Sequence, residues 1–243
     1  MRRLRGGTAV AAVTAALVVA AGCTEGTTGF GGPEGTQSPG SGGAALAAAR
    51  VLPVKGRAPK TGYDRDRFGS PWADTDSNSC GTRDDILRRD LDDVEFGDGE
   101  ECEVSSGTLD PDPYTGKDVA FVRGRSRVDI DHVVALSDAW QKGAGQWEPS
   151  KRIAFANDPL NLVAVDAGAN RSKGDGDTAT WLPPNKSYRC RYVATQVAVK
   201  KKYGLWVTAA EKAAMTRVLS GCPGQRLPDG GSPTKAPSRF RAD

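Results

Sequence analysis

Four of the chain's five cysteines, Cys80, Cys102, Cys190 and Cys222, lie beyond Cys23 at the end of an N-terminal export signal, and that number limits what the rest can fold into. The signal reads from Arg2, Arg3 and Arg5, an uncharged apolar run from Thr8 to Ala21, then Gly22 and Cys23. The run is too short and too alanine-rich for a membrane-spanning helix, which needs about 20 predominantly apolar residues. An exported chain folds where disulfides persist, so an even set of cysteines predicts two bridges. Of the three possible connectivities the sequence-local pairs are favoured, Cys80 with Cys102 and Cys190 with Cys222, each contributing about 2 to 4 kcal/mol. A zinc site built from the four thiolates is the competing reading, but no pair is spaced C-x-x-C.

Ala20-Ala21-Gly22-Cys23 resembles the lipobox at which bacterial lipoproteins are cut and the new N-terminal cysteine acylated. The expected organisation is a signal peptide over 1–22 and a flexible tether over 23–55 with a lipid on Cys23. One domain over 56–225 and a disordered tail over 226–243 follow. Residues 24 to about 50 are dominated by Gly, Ser, Thr and Ala without aliphatic periodicity, which is why they are read as a tether. Cleavage before Cys23 removes three arginines from the 33 Lys+Arg, leaving 30 against 30 Asp+Glu and no net charge. Global charge is therefore no footprint of nucleic acid, and any attraction to phosphate has to come from local clusters.

Ile86, Leu87 and Leu91 share one helical face and predict a helix over 82–93, with Thr82 as its N-cap. The acidic residues from Asp84 to Asp112 match no EF-hand spacing and read as a solvated face. After the turn-rich stretch from Asp110 to Gly116, the β-branched runs 119–122 and 128–134 predict two paired strands. Short helices near 135–141 and 150–155 precede a third strand over 161–165, and Asp166 reads as an N-cap. Amphipathic helices are expected over 188–203 and 208–219, split by Gly204, with Thr208 as N-cap and no structure beyond Cys222.

The informative segment is Val128-Asp129-Ile130-Asp131-His132-Val133-Val134, a polar cluster inside a β-branched run. Alternation puts Asp129 and Asp131 on one face and His132, the only histidine, on the other unless the strand ends there. Downstream come Asn157-Asp158-Pro159-Leu160-Asn161, an aliphatic strand, and Asn170-Arg171-Ser172-Lys173-Gly174. Asp-His, then Asn before an aliphatic strand, then Asn-Arg-x-Lys opening a helix, resembles the ββα-metal core of HNH (His-Me finger) endonucleases. The stretch from Thr82 to Cys222 resembles small secreted bacterial HNH proteins related to the C-terminal domain of GmrSD-type restriction enzymes.

The resemblance implies an α+β fold with a ββα-metal core flanked by helices. It makes Asp131 and Asn170 metal ligands, His132 the general base, and Asn161 the residue that orients the histidine or its loop. A carboxylate and an amide oxygen are hard donors suited to Mg²⁺, with Mn²⁺ an alternative. Asp131 and Asn170 stand where many members carry histidines, which weakens the expectation of zinc or nickel. Arg171 and Lys173, at the start of the predicted helix, are candidate phosphate contacts. Asp129 is left as a supporting carboxylate or a solvent-facing residue.

Basic residues cluster at Arg123, Arg125 and Arg127, and again at Lys186, Arg189, Arg191 and 200–202, with Trp181, Tyr188, Tyr192 and Trp206 among the latter. They allow a groove that tracks a nucleic-acid backbone, although aromatic residues in amphipathic helices are more often core. The expected function is an exported, metal-dependent endonuclease whose partner is its nucleic-acid substrate, DNA or RNA, cut with little sequence preference, and which touches a membrane only through an N-terminal lipid.

 The chain is expected to act as a monomer. Rival readings are a catalytically silent surface lipoprotein that binds nucleic acid or protein, and a hydrolase of another phosphodiester such as a wall polymer. A thiol protease or acyl-transfer enzyme is excluded, because the cysteines are used in bridges and lipidation and no G-x-S-x-G accompanies the histidine.

Overall fold

The computed structural model describes residues 43–99, 101–125 and 127–242, so the signal peptide and Cys23 lie outside the described residues. The fold is α+β. Its first helix, α1 (Ala44–Val51), falls in the stretch read as a tether and corrects that reading. Ala45, Ala48 and Ala49 line one side of α1 and pack on two C-terminal helices. Alanine is the best helix former, and its small side chain lets backbones approach closely, so a periodicity of small residues did what aliphatic residues usually do. The chain then runs beside Val207, with Val207 N–H donating to Pro53 O and Lys55 N–H to Val207 O.

Helix α2 (Thr82–Asp90) has Asp84 and Asp85 in its first turn and Arg88 and Arg89 in its last, the order the helix dipole favours. It buries Ile86 and Leu87 and ends three residues earlier than expected, at an extended Leu91. Gly81 is its N-cap. Thr82 sits one position inside and donates its hydroxyl to Ala73 O at 2.6 Å, so it fastens the preceding loop instead of capping. Strands β1 (Asp92–Phe96), β2 (Val104–Leu109) and β3 (Val119–Val122) form an antiparallel sheet in that order. The acidic β1 is mostly exposed, while Val119 and Phe121 turn inward from β3.

Strand β4 (Val128–His132) does not pair with β3. It pairs antiparallel with β5 (Leu162–Asp166), His132 opposite Leu162 and Val128 opposite Asp166, which corrects the expected pairing of the two runs. Between them come α3 (Leu136–Trp140) and α4 (Pro149–Ala156). Helix α5 (Ala167–Lys173) follows β5 directly, capped by Asp166, whose carboxylate accepts from Ala169 N–H at 2.8 Å. Helix α6 (Arg189–Tyr203) stops at Gly204 in the left-handed conformation, φ 70°. Helix α7 (Ala209–Ser220) starts with a capping box of Thr208 and Glu211.

The β4–β5 ribbon is buried on both faces. Val128, Ile130, Leu162 and Ala164 pack with Ile86, Leu87 and the three-stranded sheet. On the other face Val165 joins Tyr114, Tyr192 and the α1, α6 and α7 core. Disulfides join Cys80 to Cys102 and Cys190 to Cys222, the local pairing expected. The C-terminal segment has no helix or strand, yet Ala236 is buried against Ile153 and Ala154 and donates to Ser150 O at 2.9 Å, so the tail reading holds for secondary structure and fails for packing.

A buried cluster of alternating charges ties the domain's extremities together. Lys142 reaches Asp138, Asp177 and Glu211 at 2.6 to 2.8 Å, and Lys200 reaches Asp138 and Glu211 at 3.1 and 2.9 Å. Arg57 adds a third cation, bridging Asp138 and Asp177. Burial pushes the Asp138 carboxyl up, but Lys200, Lys142 and Arg57 overrule it and hold it down at about 2.

Candidate active site

Neighbours in sequence, Asp131 and His132 end β4 on opposite faces, as alternation requires. On the α5 side, Asp131 Oδ1 accepts from the Lys173 ammonium at 2.9 Å and Oδ2 from the Tyr114 hydroxyl at 2.5 Å. The same ammonium donates to His132 O at 2.9 Å. Asp112 positions Tyr114: one oxygen accepts from Asp166 N–H at the start of α5, the other from Thr115 N–H, clamping the loop over the ribbon. Burial pushes the Asp131 carboxyl up, against the pull of Lys173 and Tyr114, and burial and then Asp131 raise the Tyr114 hydroxyl well above its usual range.

On the other face, His132 Nε2 lies 2.8 Å from Ala156 O. That carbonyl is in the last turn of α4, where no intrahelical N–H remains to use it. A carbonyl only accepts, so Nε2 carries the proton and Nδ1 holds the lone pair. Nδ1 has no hydrogen-bond partner among the described residues, and the ring lines a pocket with Arg65, Asp66, Ser70, Trp72 and Asn157. Trp72 lies nearly parallel to the imidazole, 13° between planes and 6.4 Å between centroids. Burial pushes the imidazole down to about 3, with Arg65 and Lys173 pushing the same way, so the ring is neutral at physiological pH.

Asn161 is fully buried and holds the chain after the histidine, not its ring. Its Oδ1 accepts from Val134 N–H at 2.8 Å, its Nδ2 donates to Val134 O at 3.3 Å, and its own carbonyl accepts from Val133 N–H. Asn170, on α5, donates to Asp129 Oδ2 at 3.1 Å, so it meets the neighbouring carboxylate and not Asp131. Lys173 corrects its reading as a phosphate contact: it is buried, and its ammonium is spent on Asp131 and His132 O. Arg171 is exposed on the same helix. The basic groove expected along α6 is also corrected in part, because Tyr192 and Lys200 are core residues and Lys202 pairs with Asp158.

Asp129, Asp131 and Asn170 lie on the ribbon face that α5 covers and offer only hard oxygen donors, a set whose chemistry fits Mg²⁺ or Mn²⁺. No group of three or more His, Cys, Asp or Glu suited to a metal occurs among the described residues, and Lys173 already places a cation against Asp131. Tyr114, Trp72 and Arg65 were not read from the sequence as parts of the site. Tyr114 sits in a stretch that signals only a turn, and residues 56–81 carry no apolar periodicity to mark Trp72.

A disulfide-braced α+β domain with an Asp-His pair at the end of a two-stranded ribbon, followed at once by a helix, is the class these observations define. The chain belongs to the family of GmrSD restriction endonuclease C-terminal domains, whose sequence model matches residues 81–218. It is 44% identical over 173 residues to an uncharacterized secreted protein of Arthroderma benhamiae, a match covering 70% of this chain and 81% of that one. No solved structure matches.

Proposed function

We propose that the protein is an exported endonuclease that hydrolyses phosphodiester bonds of DNA, with RNA as a second substrate, and that β4, β5 and α5 form its ββα-metal centre. The observation that carries this reading is the fixed tautomer of His132, neutral and with Nδ1 turned to a pocket instead of a protein partner. Family membership supports nuclease chemistry, and the relative's description as secreted, together with the leader sequence, supports export.

In the proposed reaction Nδ1 takes a proton from water, the water oxygen bonds to phosphorus, and the bond from phosphorus to the leaving sugar oxygen breaks. Ala156 O steadies the imidazolium by accepting from Nε2–H throughout, and Asn161 holds the strand end that carries the ring. A base near 3 is weak, but an incoming phosphate places negative charge beside it and returns its affinity for the proton toward the ordinary range. Asp131 and Asn170, with Asp129 beside them, would hold a divalent cation, which would supply Lewis-acid stabilisation of the departing oxygen.

The test is nicking of supercoiled plasmid by the purified protein with Mg²⁺ or Mn²⁺ against EDTA, beside His132→Ala checked for folding. Metal-dependent nicking lost in the variant supports the proposal; intact DNA and RNA with every divalent ion reject it. The Lys173–Asp131 pair favours a second reading, a silent member that binds nucleic acid without cutting. That reading predicts binding without nicking.

A further inference from the structure

The segment 228–242 has no helix or strand, and among the described residues its only main-chain hydrogen bond to the rest of the domain runs from Ala236 N–H to Ser150 O. Its side chains nevertheless engage both walls of the pocket that holds His132. On one wall, Ala236 is buried against Ile153 and Ala154 of α4, the helix whose Ala156 O accepts from the imidazole. On the other, Arg239 donates to Asp74 O at 2.8 Å and to Ser77 Oγ at 2.9 Å, in the loop that carries Trp72 beside the ring. Gly69, which lines the pocket, lies against both: a Cβ there would stand 2.7 Å from Ile153 Cγ1 and 3.4 Å from Arg241 O.

The Trp72 loop is one that needs holding. Trp72, Ser77 and Ser79 all have left-handed backbones, φ 59°, 66° and 72°, a conformation that residues with a side chain adopt at a cost and keep only where their surroundings impose it. Thr82 of α2 fastens Trp72 O and Ala73 O, and Arg239 fastens the chain at Asp74 and Ser77. We propose that 228–242 is a strap that sets the His132 pocket: seated, it keeps Trp72 against the imidazole and the ring shielded from water; unseated or clipped, it lets the loop relax and the site slow. A Pro- and Gly-rich segment with so few main-chain bonds opens at lower cost than a disulfide-braced core, and exposed stretches of this kind are where proteases nick an exported chain. The effect on rate rests on the reading of His132 as the base, whereas the effect on the ring is measurable without any substrate.

Because His132 is the only histidine, its ring resonances report on the pocket without ambiguity. The experiment is a pH titration of those resonances by NMR in the purified protein and in its Ala236→Asp and Arg239→Ala variants, with thermal unfolding as a check on folding and plasmid nicking measured alongside. Ala236→Asp forces a carboxylate into the contact with Ile153 and Ala154, and Arg239→Ala releases the loop alone. Expected are a wild-type ring held far below its ordinary range, an upward move of about one unit or more in Ala236→Asp, a smaller one in Arg239→Ala, and nicking that slows in the same order. Arg239 is exposed, so its variant still decides the matter if Ala236→Asp does not fold. Folded variants whose histidine titrates as in the wild type overturn the proposal, as do variants that nick faster, since the segment would then be a lid. Failure of the nuclease reading shows separately, as plasmid left intact by the wild type, and leaves the titration to judge the strap.

Discussion

The ammonium of Lys173 stands 2.9 Å from Asp131 Oδ1, on the ribbon face where the proposed function seats a divalent cation. Replacing Lys173 by methionine leaves Asp131 buried beside Tyr114 without its cation. Breaking a buried pair in this way costs about 3 to 5 kcal/mol. The vacated carboxylate then becomes a better seat for a divalent ion, so Mg²⁺ should raise the melting temperature of Lys173→Met more than that of the wild type. Melting curves with Mg²⁺ and with EDTA decide this; equal responses count against a cation at Asp131.

His132 sets a pH dependence of stability. The unfolded imidazole titrates near 6.5 and the folded one near 3, so between those values the unfolded chain binds the additional proton and stability falls as pH drops. The expected slope from this residue is about 1.4 kcal/mol per pH unit. Urea unfolding across that window should show a shallower dependence in His132→Gln, and a variant with an unchanged slope would contradict the depressed value.

The same group shapes the rate profile. Because kcat/KM reports the free enzyme, its acid limb should lie well below 6.5, while the limb of kcat should move upward, since bound phosphate favours the imidazolium. Steady-state rates on a short duplex at a series of pH values test both statements; coincident limbs near 6.5 would argue that the ring is not buried as described.

Asn161→Ala removes the acceptor of the Val134 N–H and leaves that buried donor unsatisfied. A loss of about 1 to 3 kcal/mol is expected. The ring is held by Ala156 O and not by Asn161, so kcat should fall while the position of the acid limb stays. Denaturation and pH profiles of the one variant separate the two effects.

Much of the site was legible as residue types and little of it as contacts. Asp131 and His132 stood out because polar side chains interrupt a β-branched run, whereas Asn161 and Asn170 were marked only by the resemblance to HNH endonucleases; β4, the turn before β5, and α5 carry the four. The use of Lys173 was not legible, since Asn-Arg-x-Lys reads equally well as a solvated face, and only the turn of α5 onto β4 shows that its fourth residue points inward. Ala156 escaped because its contribution is a backbone carbonyl, set by where α4 ends. The strands β1 and β2 were missed for a different reason: three acids in one and two serines with a glycine in the other suppress the strand signal, and tertiary pairing overrides propensity. Both helices α6 and α7 were legible, because Gly204 and the Thr208 capping box punctuate them locally.

Arg57 and Glu211 enter the same buried charge cluster from opposite ends of the domain, and α1 closes the core from further upstream still. The packed domain therefore reaches beyond 81–218, the stretch that the family model matches. A fragment trimmed to it retains Lys142 and Lys200 but faces Asp138, Asp177 and Glu211 with one cation too few, and leaves the α6–α7 surface open where α1 had covered it. Inheritance and packing draw their borders in different places here, and the packed unit is the larger of the two.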